Sequence, residues 1–216
     1  MALSRDANTE ARHRLVGGLL GQQVDPRVAD AFWQVKRHHF IEPALAFRAY
    51  EDVTLPIGHQ QTLSRPSVVA RQLTEILRGR KRLRYVLEVG TGSGYQTALL
   101  THLCTRVYSI ERIRGLHDIA EPRLAAAGNR NYRLRVGDGF KGWAEAGPFD
   151  AIVAAAAPAA VPQAWIDQLA MGGCLILPLA RGAGQRMVRV DKTEDGIVQT
   201  DLTEASFVPC LRGVVG

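Results

Sequence analysis

The chain has 216 residues, 46% hydrophobic and 22% charged, with a formal net charge of +6. These are ordinary values for one globular domain, long enough to bury about 70% of its unfolded surface, and they exclude a disordered, collagenous or disulfide-dense scaffold. The most apolar region, Ala151 to Ile166, is broken by Pro158 and Pro162, and the segment from Met1 to Glu10 holds no apolar signal core, so a soluble cytoplasmic protein is expected.

Taken in order, Glu10 to Leu20 reads as a helix, and Asp25-Pro26 opens another, with Asp as its cap and Pro in its first turn. Val28, Phe32 and Val35 recur at helical spacing and give this second helix its core face. Lys36-Arg-His-His39 reads as a polar surface turn, and a metal is not expected because no third ligand stands at suitable spacing. From Phe40 to Gly58 prolines break the pattern into irregular structure with a short strand. His59-Gln-Gln-Thr-Leu-Ser-Arg-Pro66 then leads into a helix whose Val69, Leu73, Ile76 and Leu77 share one face. Arg78-Gly-Arg-Lys-Arg-Leu-Arg84 is the densest basic run. It could attract phosphates or an acidic polypeptide, but no aromatic residue interleaves with it, and it reads as a solvated connector on the sheet's far edge.

From Leu83 the rhythm changes. Strands are expected at Tyr85–Val89, Arg106–Ile110, Tyr132–Val136, Phe149–Ala154 and Cys174–Leu179, with helices at Gln96–Leu103, Gly115–Ala127 and Gln163–Leu169 between them. Such alternation predicts an α/β fold with a mostly parallel twisted sheet, helices on both faces and right-handed crossovers. After Pro178 the helices stop. Met187–Val190 and Ile197–Leu202 flank Glu194-Asp-Gly196 as a hairpin that finishes the sheet with antiparallel strands. Residues 1–216 are therefore read as a single domain: 1–82 a helical N-terminal extension and substrate loop, 83–180 the cofactor-binding core, and 181–216 the C-terminal hairpin and edge. Cys104, Cys174 and Cys210 lack Cys-x-x-Cys spacing and sit among apolar neighbours, which predicts reduced, buried thiols.

The stretch Tyr85-Val-Leu-Glu-Val-Gly-Thr-Gly-Ser-Gly-Tyr95 organises the rest. Strand, glycine turn and helix in that order form a nucleotide-type site, because glycine lets the backbone turn sharply and approach a ligand closely. Its Gly-x-Gly-x-Gly spacing and the bulky Tyr95 depart from a dinucleotide fingerprint, which disfavours an oxidoreductase. Glu111 ends the next apolar run, where a carboxylate suits the hydroxyls of an unphosphorylated ribose. Glu88 interrupts the strand itself and suits a cation better than a pyrophosphate. S-adenosylmethionine, with its ammonium, sulfonium and free ribose, fits both acids. Asp138, between Gly137 and Gly139, reads either as a turn residue or as an acceptor for an adenine amino group. Thr62 and Ser64 are candidates for contact with the reacting partner, although Ser64 also reads as a helix cap. No Ser-His-acid arrangement assembles around it.

Leu55-Pro-Ile-Gly58, Gln61-Thr-Leu-Ser-Arg-Pro66, Val86–Thr97, Glu111-Arg112, Gly137-Asp-Gly139, Pro148–Ile152 and Phe207-Val-Pro209 together resemble the protein-L-isoaspartate O-methyltransferase family. The resemblance runs from about Val24 to the end, and the Gln-Thr-x-Ser-x-Pro loop is its most specific part. It implies a Rossmann-like methyltransferase fold that uses S-adenosylmethionine to methylate the free carboxylate of L-isoaspartyl residues in damaged proteins and peptides. The ester then cyclises to a succinimide, whose hydrolysis returns part of the material to normal aspartate. It implies Ser64 as catalytic residue, and Gln61, Thr62 and Val208 on the substrate. Around the cofactor it implies Glu88, Gly90, Thr91, Gly92, Gly94, Glu111, Arg112, Asp138 and Gly139. It implies no metal, no membrane, no nucleic acid and a monomer. Ala155, Ala160, Val69 and His59 depart from residues common in the family, all on the substrate side. Two other readings stand beside this one: a carboxylate methyltransferase acting on one dedicated peptide during its maturation, and a nucleic-acid-binding module using Arg78–Arg84 on a methyltransferase scaffold.

Overall fold

The computed structural model describes residues 7–216, so part of the stretch read as lacking a signal core lies outside the described residues. Helix α1 (Ala7–Leu20) is followed by α2 (Pro26–Gln34). The Asp25 side chain caps α2 by accepting the Arg27 amide at 2.9 Å, and Pro26 takes a first-turn position that needs no donor. Val28, Phe32 and Val35 are buried as their spacing predicts.

The next four residues differ from expectation. Arg37–Phe40 is a 3-10 turn, and Arg37 is 0% exposed rather than part of a polar surface. Side chains three apart eclipse in a 3-10 turn, so carrying Phe40 into the core carries Arg37 inward with it. Only Lys36 and His39 of this run are exposed. Beyond a second 3-10 turn, Pro43–Arg48, two short strands pair antiparallel as a hairpin, β1 (Leu55–Pro56) with β2 (Thr62–Leu63). Helix α3 (Pro66–Leu77) buries Val69, Leu73, Ile76 and Leu77.

The remaining strands are β3 (Leu83–Val89), β4 (Cys104–Glu111), β5 (Tyr132–Val136), β6 (Phe149–Ala154), β7 (Leu169–Arg181), β8 (Gly184–Thr193) and β9 (Gly196–Ala205). They form a seven-stranded sheet in the order β5-β4-β3-β6-β7-β8-β9. β3 to β7 run parallel, and β8 and β9 complete the sheet antiparallel. One boundary moved. Leu169, expected to end a helix, opens β7 instead, because α6 (Gln163–Asp167) is short and β7 enters through a register shift against β6. That irregularity needs Gly173, where a Cβ would stand 2.7 Å from the Ala170 carbonyl oxygen.

Alternation along β3 sends its side chains to two cores. Val86 joins α2, α3, α4 (Tyr95–Leu103) and α5 (Arg114–Ala126) on one face. Leu87 and Val89 join Trp165 of α6, with Tyr85, Tyr108 and Trp143 packed around them, on the other. Both faces are covered, but the second mostly by aromatic side chains rather than by long helices.

The basic run is mostly exposed, as a solvated connector is, and its last two residues open β3, but β3 is an interior strand and part of the run is already engaged. Arg80 Nη1 donates to the Ile76 carbonyl at 3.2 Å and lies 2.7 Å from Cys174 Sγ, while Arg27 donates to the carbonyls of Arg80 and Lys81 at 2.8 and 3.0 Å. These guanidinium groups serve the carbonyls at the end of α3. Cys104 and Cys174 are buried, whereas Cys210 is only half-buried, because it follows the sheet on an exposed segment. No helix among the described residues is long and apolar enough to cross a membrane.

Replacing Asp25 by Ala removes the α2 cap and is expected to lower the unfolding free energy by about 1 kcal/mol in urea titrations near pH 7. Arg27 holds the Asp25 carboxyl below its usual range, so this contribution is full above about pH 4 and fades as pH falls through the folded-state value. The deficit of Asp25→Ala should therefore shrink in acid.

Candidate functional site

Strand order reverses beside β3: the chain runs outward through β4 and β5, then crosses back to β6 on the other side. Carboxyl ends of strands at such a reversal leave a crevice. A cavity of about 320 Å³ opens there. The turn Gly90–Ser93 forms one side, Ile110–Ile113 at the end of β4 a second, and Ala155 and Ala156 after β6 a third. The loop Gln60–Ser64, with Ile57 and Val69, lies opposite, and Val208–Leu211 closes the rim.

Each wall is placed by local chemistry. Gly90 and Gly92 have φ of +97° and +55°, and an added Cβ would stand 3.3 Å from Ala155 Cβ and 3.2 Å from Ile57 Cδ1 respectively. Glu111 Oε2 accepts the Gly92 amide and Oε1 the Ile113 amide, each at 2.9 Å. An ionised carboxylate has about four acceptor positions, so two remain for a ligand. Gly139 meets the cavity where its bare Cα passes Val89, whose Cγ1 would lie 2.6 Å from any Cβ. Trp165 Nε1 fixes that turn by donating to the Gly139 carbonyl at 2.8 Å.

Ser64 is not a helix cap. Arg65 holds the cap position of α3 without a side-chain bond, and the first turn is served from a distance by Asp52, which accepts the Ser67 amide and hydroxyl at 2.8 and 2.7 Å. The Ser64 carbonyl accepts Arg37 Nη2 at 2.9 Å, which leaves its hydroxyl out of the capping network at the cavity wall.

Of the residues singled out in the sequence, Gln61, Thr62, Ser64, Val208, Gly90, Thr91, Gly92, Glu111, Arg112 and Gly139 meet at this one cavity. Arg112 also fastens the rim by donating to the carbonyls of Gly213 and Arg212, both at 3.3 Å. Three others stand behind the wall. Gly94 starts α4 and packs on Leu124 and Ala120, and Asp138 caps its own turn by accepting the Phe140 amide at 2.9 Å. Glu88 is 0% exposed. Residues two apart share a face, so Glu88 points with Val86 toward α4 and not out of the strand end. Its Oε2 accepts the Thr97 hydroxyl and, at 2.6 Å, the Ser109 hydroxyl, which lies 2.6 Å from Thr91 Oγ1. Burial pushes its pKa up to about 8 against those two bonds, and the nearby Glu111 charge adds to the rise. Glu88, expected from the sequence to face a cationic ligand directly, is linked to the cavity only through Ser109 and Thr91.

Val69 and Ala155, placed on the substrate side from the sequence, line the cavity, whereas the roles of Ile57, Leu116 and Cys210 were missed. Ile57 and Leu116 are plain apolar residues with no chemical mark; Cys210 sits beside the recognised Val208-Pro209. Its thiol is pushed up to about 11 by burial, with Asp138 adding to the rise. Among the described residues the wall holds no histidine, lysine or aspartate, and its one carboxylate, Glu111, is engaged by two backbone amides, so the wall is built to align, hydrogen-bond and exclude water rather than to take a proton.

Comparison with known proteins shows the family. Residues 12–214 match the family model described as protein-L-isoaspartate(D-aspartate) O-methyltransferase. A protein-L-isoaspartate O-methyltransferase of Pseudomonas paraeruginosa is 45% identical over 205 residues, which is 94% of this chain and 97% of that one. A solved protein-L-isoaspartate O-methyltransferase superposes with a TM-score of 0.82 at 27% identity, covering 92% of this chain and 65% of the other. The fold is shared as well with a Plasmodium falciparum structure described as a complex with S-adenosyl-L-homocysteine, at a TM-score of 0.80 and 24% identity, covering 92% and 97% of the two chains.

The raised pKa of Glu88 has a measurable consequence. The unfolded chain sheds this proton near 4.5 and the folded one near 8, so stability should fall as pH rises through that window and level off above it. Glu88→Gln keeps the shape without the ionisation. Its melting temperature, followed from pH 5 to about 8, should lose this part of the slope; an identical slope in both proteins would show that Glu88 is ionised throughout.

Proposed function

This chain belongs to the protein-L-isoaspartate(D-aspartate) O-methyltransferase family, and on that footing we propose that it methylates the free carboxylate of L-isoaspartyl residues in damaged proteins and peptides, using S-adenosylmethionine. One observation carries the reading. The hairpin segment with Thr62 and Ser64, the glycine turn and Glu111 share a single cavity.

The residues fit the cofactor. Gly90–Ser93 form a cradle whose glycines, at positive φ, leave little room for a Cβ, and Ser93 Oγ and Gln96 Nε2 are buried on the wall without a partner. Buried polar atoms of that kind are normally satisfied by a ligand or water. Glu111 would hold the ribose hydroxyls with its free acceptor positions, and Gly90, Thr91, Gly92, Arg112 and Gly139 would line the remaining contact. Glu88, Gly94 and Asp138 act at one remove, by holding the turns in place. Bound there, S-adenosylmethionine supplies a methyl group activated on a sulfonium.

An isoaspartyl carboxylate, with an ordinary pKa of about 4, is ionised near neutrality, so the missing base is no defect. Ser64 and Thr62 donate to one of its oxygens and aim the other, and Gln61 and Val208 border the peptide. Ile57, Val69 and Leu116 keep water from the nucleophile. Alignment and desolvation suit a transfer in which the carboxylate gives up its charge. We assign residues 1–216 to one catalytic unit, since the walls draw on the segment before Leu83 and on Val208–Leu211 as well as on the sheet. We further assign the enzyme to the cytoplasm, acting as a single chain, with no nucleic-acid partner. The engagement of Arg80 with Ile76 and Cys174 supports that last reading, because it makes part of the basic run structural.

Two peptides that differ only in isoaspartate or normal aspartate at one position give the direct test. Labelled methyl should enter the first and not the second; equal labelling would remove isoaspartate as the substrate. Ser64→Ala should lower kcat by roughly tenfold or more while S-adenosylhomocysteine affinity, read by calorimetry, stays within about twofold. Unchanged turnover would take Ser64 out of the mechanism.

A further inference from the structure

The hairpin that carries the reacting hydroxyls packs Leu55, Ile57 and Leu63 into the core, but few hydrogen bonds fix its backbone. Its ladder is Leu55↔Leu63 and Pro56↔Thr62, extended by Ile57 N–H to the Gln61 carbonyl at 3.0 Å. Its turn places Gly58, His59 and Gln60 at positive φ of 86°, 50° and 57°, a conformation that disfavours the last two. A two-stranded piece this short is not stable alone.

Beneath it lies Arg37, a fully buried guanidinium that the reaction, as described so far, does not use. One nitrogen, Nη2, donates to both legs of the hairpin: to the Ser64 carbonyl at 2.9 Å just after β2, and to the Val53 carbonyl at 3.4 Å just before β1. The guanidinium carbon stands 4.9 Å from the ring centre of Tyr95, the first residue of α4 after the glycine turn. Nε and Nη1 are buried without a partner. Burial lowers the pKa of Arg37, and Tyr95, Asp52 and Tyr50 act to keep its charge. A buried cation with two idle donors is a costly way to fill a core where an apolar side chain of similar volume would serve.

We propose that Arg37 is a positioning residue for methyl transfer: it clamps the base of the hairpin and seats it on Tyr95, so that Ser64 and Thr62 hold a fixed distance from the glycine turn. The assignment rests on the functional reading above. Arg37 touches neither substrate nor cofactor; it acts through the Ser64 carbonyl and the Tyr95 ring. Two walls made by distant parts of the chain are thereby held to each other by one side chain, and alignment is what this reaction needs most.

Arg37→Met keeps the length and can still lie on Tyr95 but donates no hydrogen bond; Arg37→Lys keeps the charge and a single donor nitrogen in place of three. Three readouts are compared with the parent: hydrogen exchange at the Ile57 and Gln61 amides, the separate kcat and KM for an isoaspartyl peptide, and S-adenosylhomocysteine affinity by calorimetry. In Arg37→Met the hairpin amides should exchange roughly tenfold faster and kcat should fall roughly tenfold, with KM and S-adenosylhomocysteine affinity within about twofold; Arg37→Lys should fall between Met and parent. A lowered melting temperature with parent-like kcat and hairpin exchange would reduce Arg37 to a packing role and overturn the proposal. If Arg37→Met does not fold, Arg37→Lys decides by the same two readouts: parent-like values overturn the clamp, and faster exchange with lower kcat supports it. A parent protein that does not methylate the isoaspartyl peptide would overturn the functional reading, while hairpin exchange would still decide whether Arg37 is the clamp.

Discussion

The end of β3 lies so close to the walls that meet it that even a Cβ would be crowded. Gly90 faces Ala155 and Gly92 faces Ile57 at distances where an added Cβ would have to displace something, and both glycines sit at positive φ. This close approach brings the ends of β3 and β6 and the N-terminal hairpin around one cavity, and it depends on glycine for both conformation and space. The Glu111 carboxylate then locks the turn by accepting the Gly92 amide, and so couples the end of β4 to the end of β3.

Behind the turn, a line of hydroxyls and one carboxyl runs from Thr91 through Ser109 to Glu88 and Thr97. A carboxylate in the middle of a parallel sheet is expensive; burial raises the pKa of this one, and it accepts two hydroxyls. The same residue type therefore serves two ends in neighbouring strands. Glu111, at a strand end, remains an acceptor toward the cavity; Glu88, inside its strand, becomes internal scaffolding. Arg37 is the counterpart on the hairpin side, a buried charge whose hydrogen bonds go to the loop bearing Ser64.

Much of the fold was legible because its periodicities are strong. β5 and β6 span the residues read from the sequence, and the Asp25-Pro26 helix start and the Glu194-Asp-Gly196 hairpin stand where turn and cap chemistry put them. Failures came where neighbours override a local signal. The Lys36–His39 run reads as polar surface, yet the eclipsed geometry of a 3-10 turn buries Arg37 along with Phe40. Leu169 reads as a helix end, yet glycine at Gly172 and Gly173 lets β7 begin early. Arg80 looks solvated within its basic run, yet its guanidinium meets Ile76 and Cys174.

The sequence alone determined the strand–glycine turn–helix unit, the parallel alternation with its antiparallel finish, and the acid, hydroxyl and glycine positions from which the family resemblance follows. These are local patterns, set by backbone conformation and by the period of each element. Tertiary structure decided which of those positions reach the cavity and which are buried behind it. It placed Glu88 behind the wall and Glu111 on it, freed Ser64 from capping, and set Arg37 beneath the hairpin. Burial, desolvation and contacts between segments distant in the chain control those outcomes, and none of them is a property of a residue's immediate neighbours.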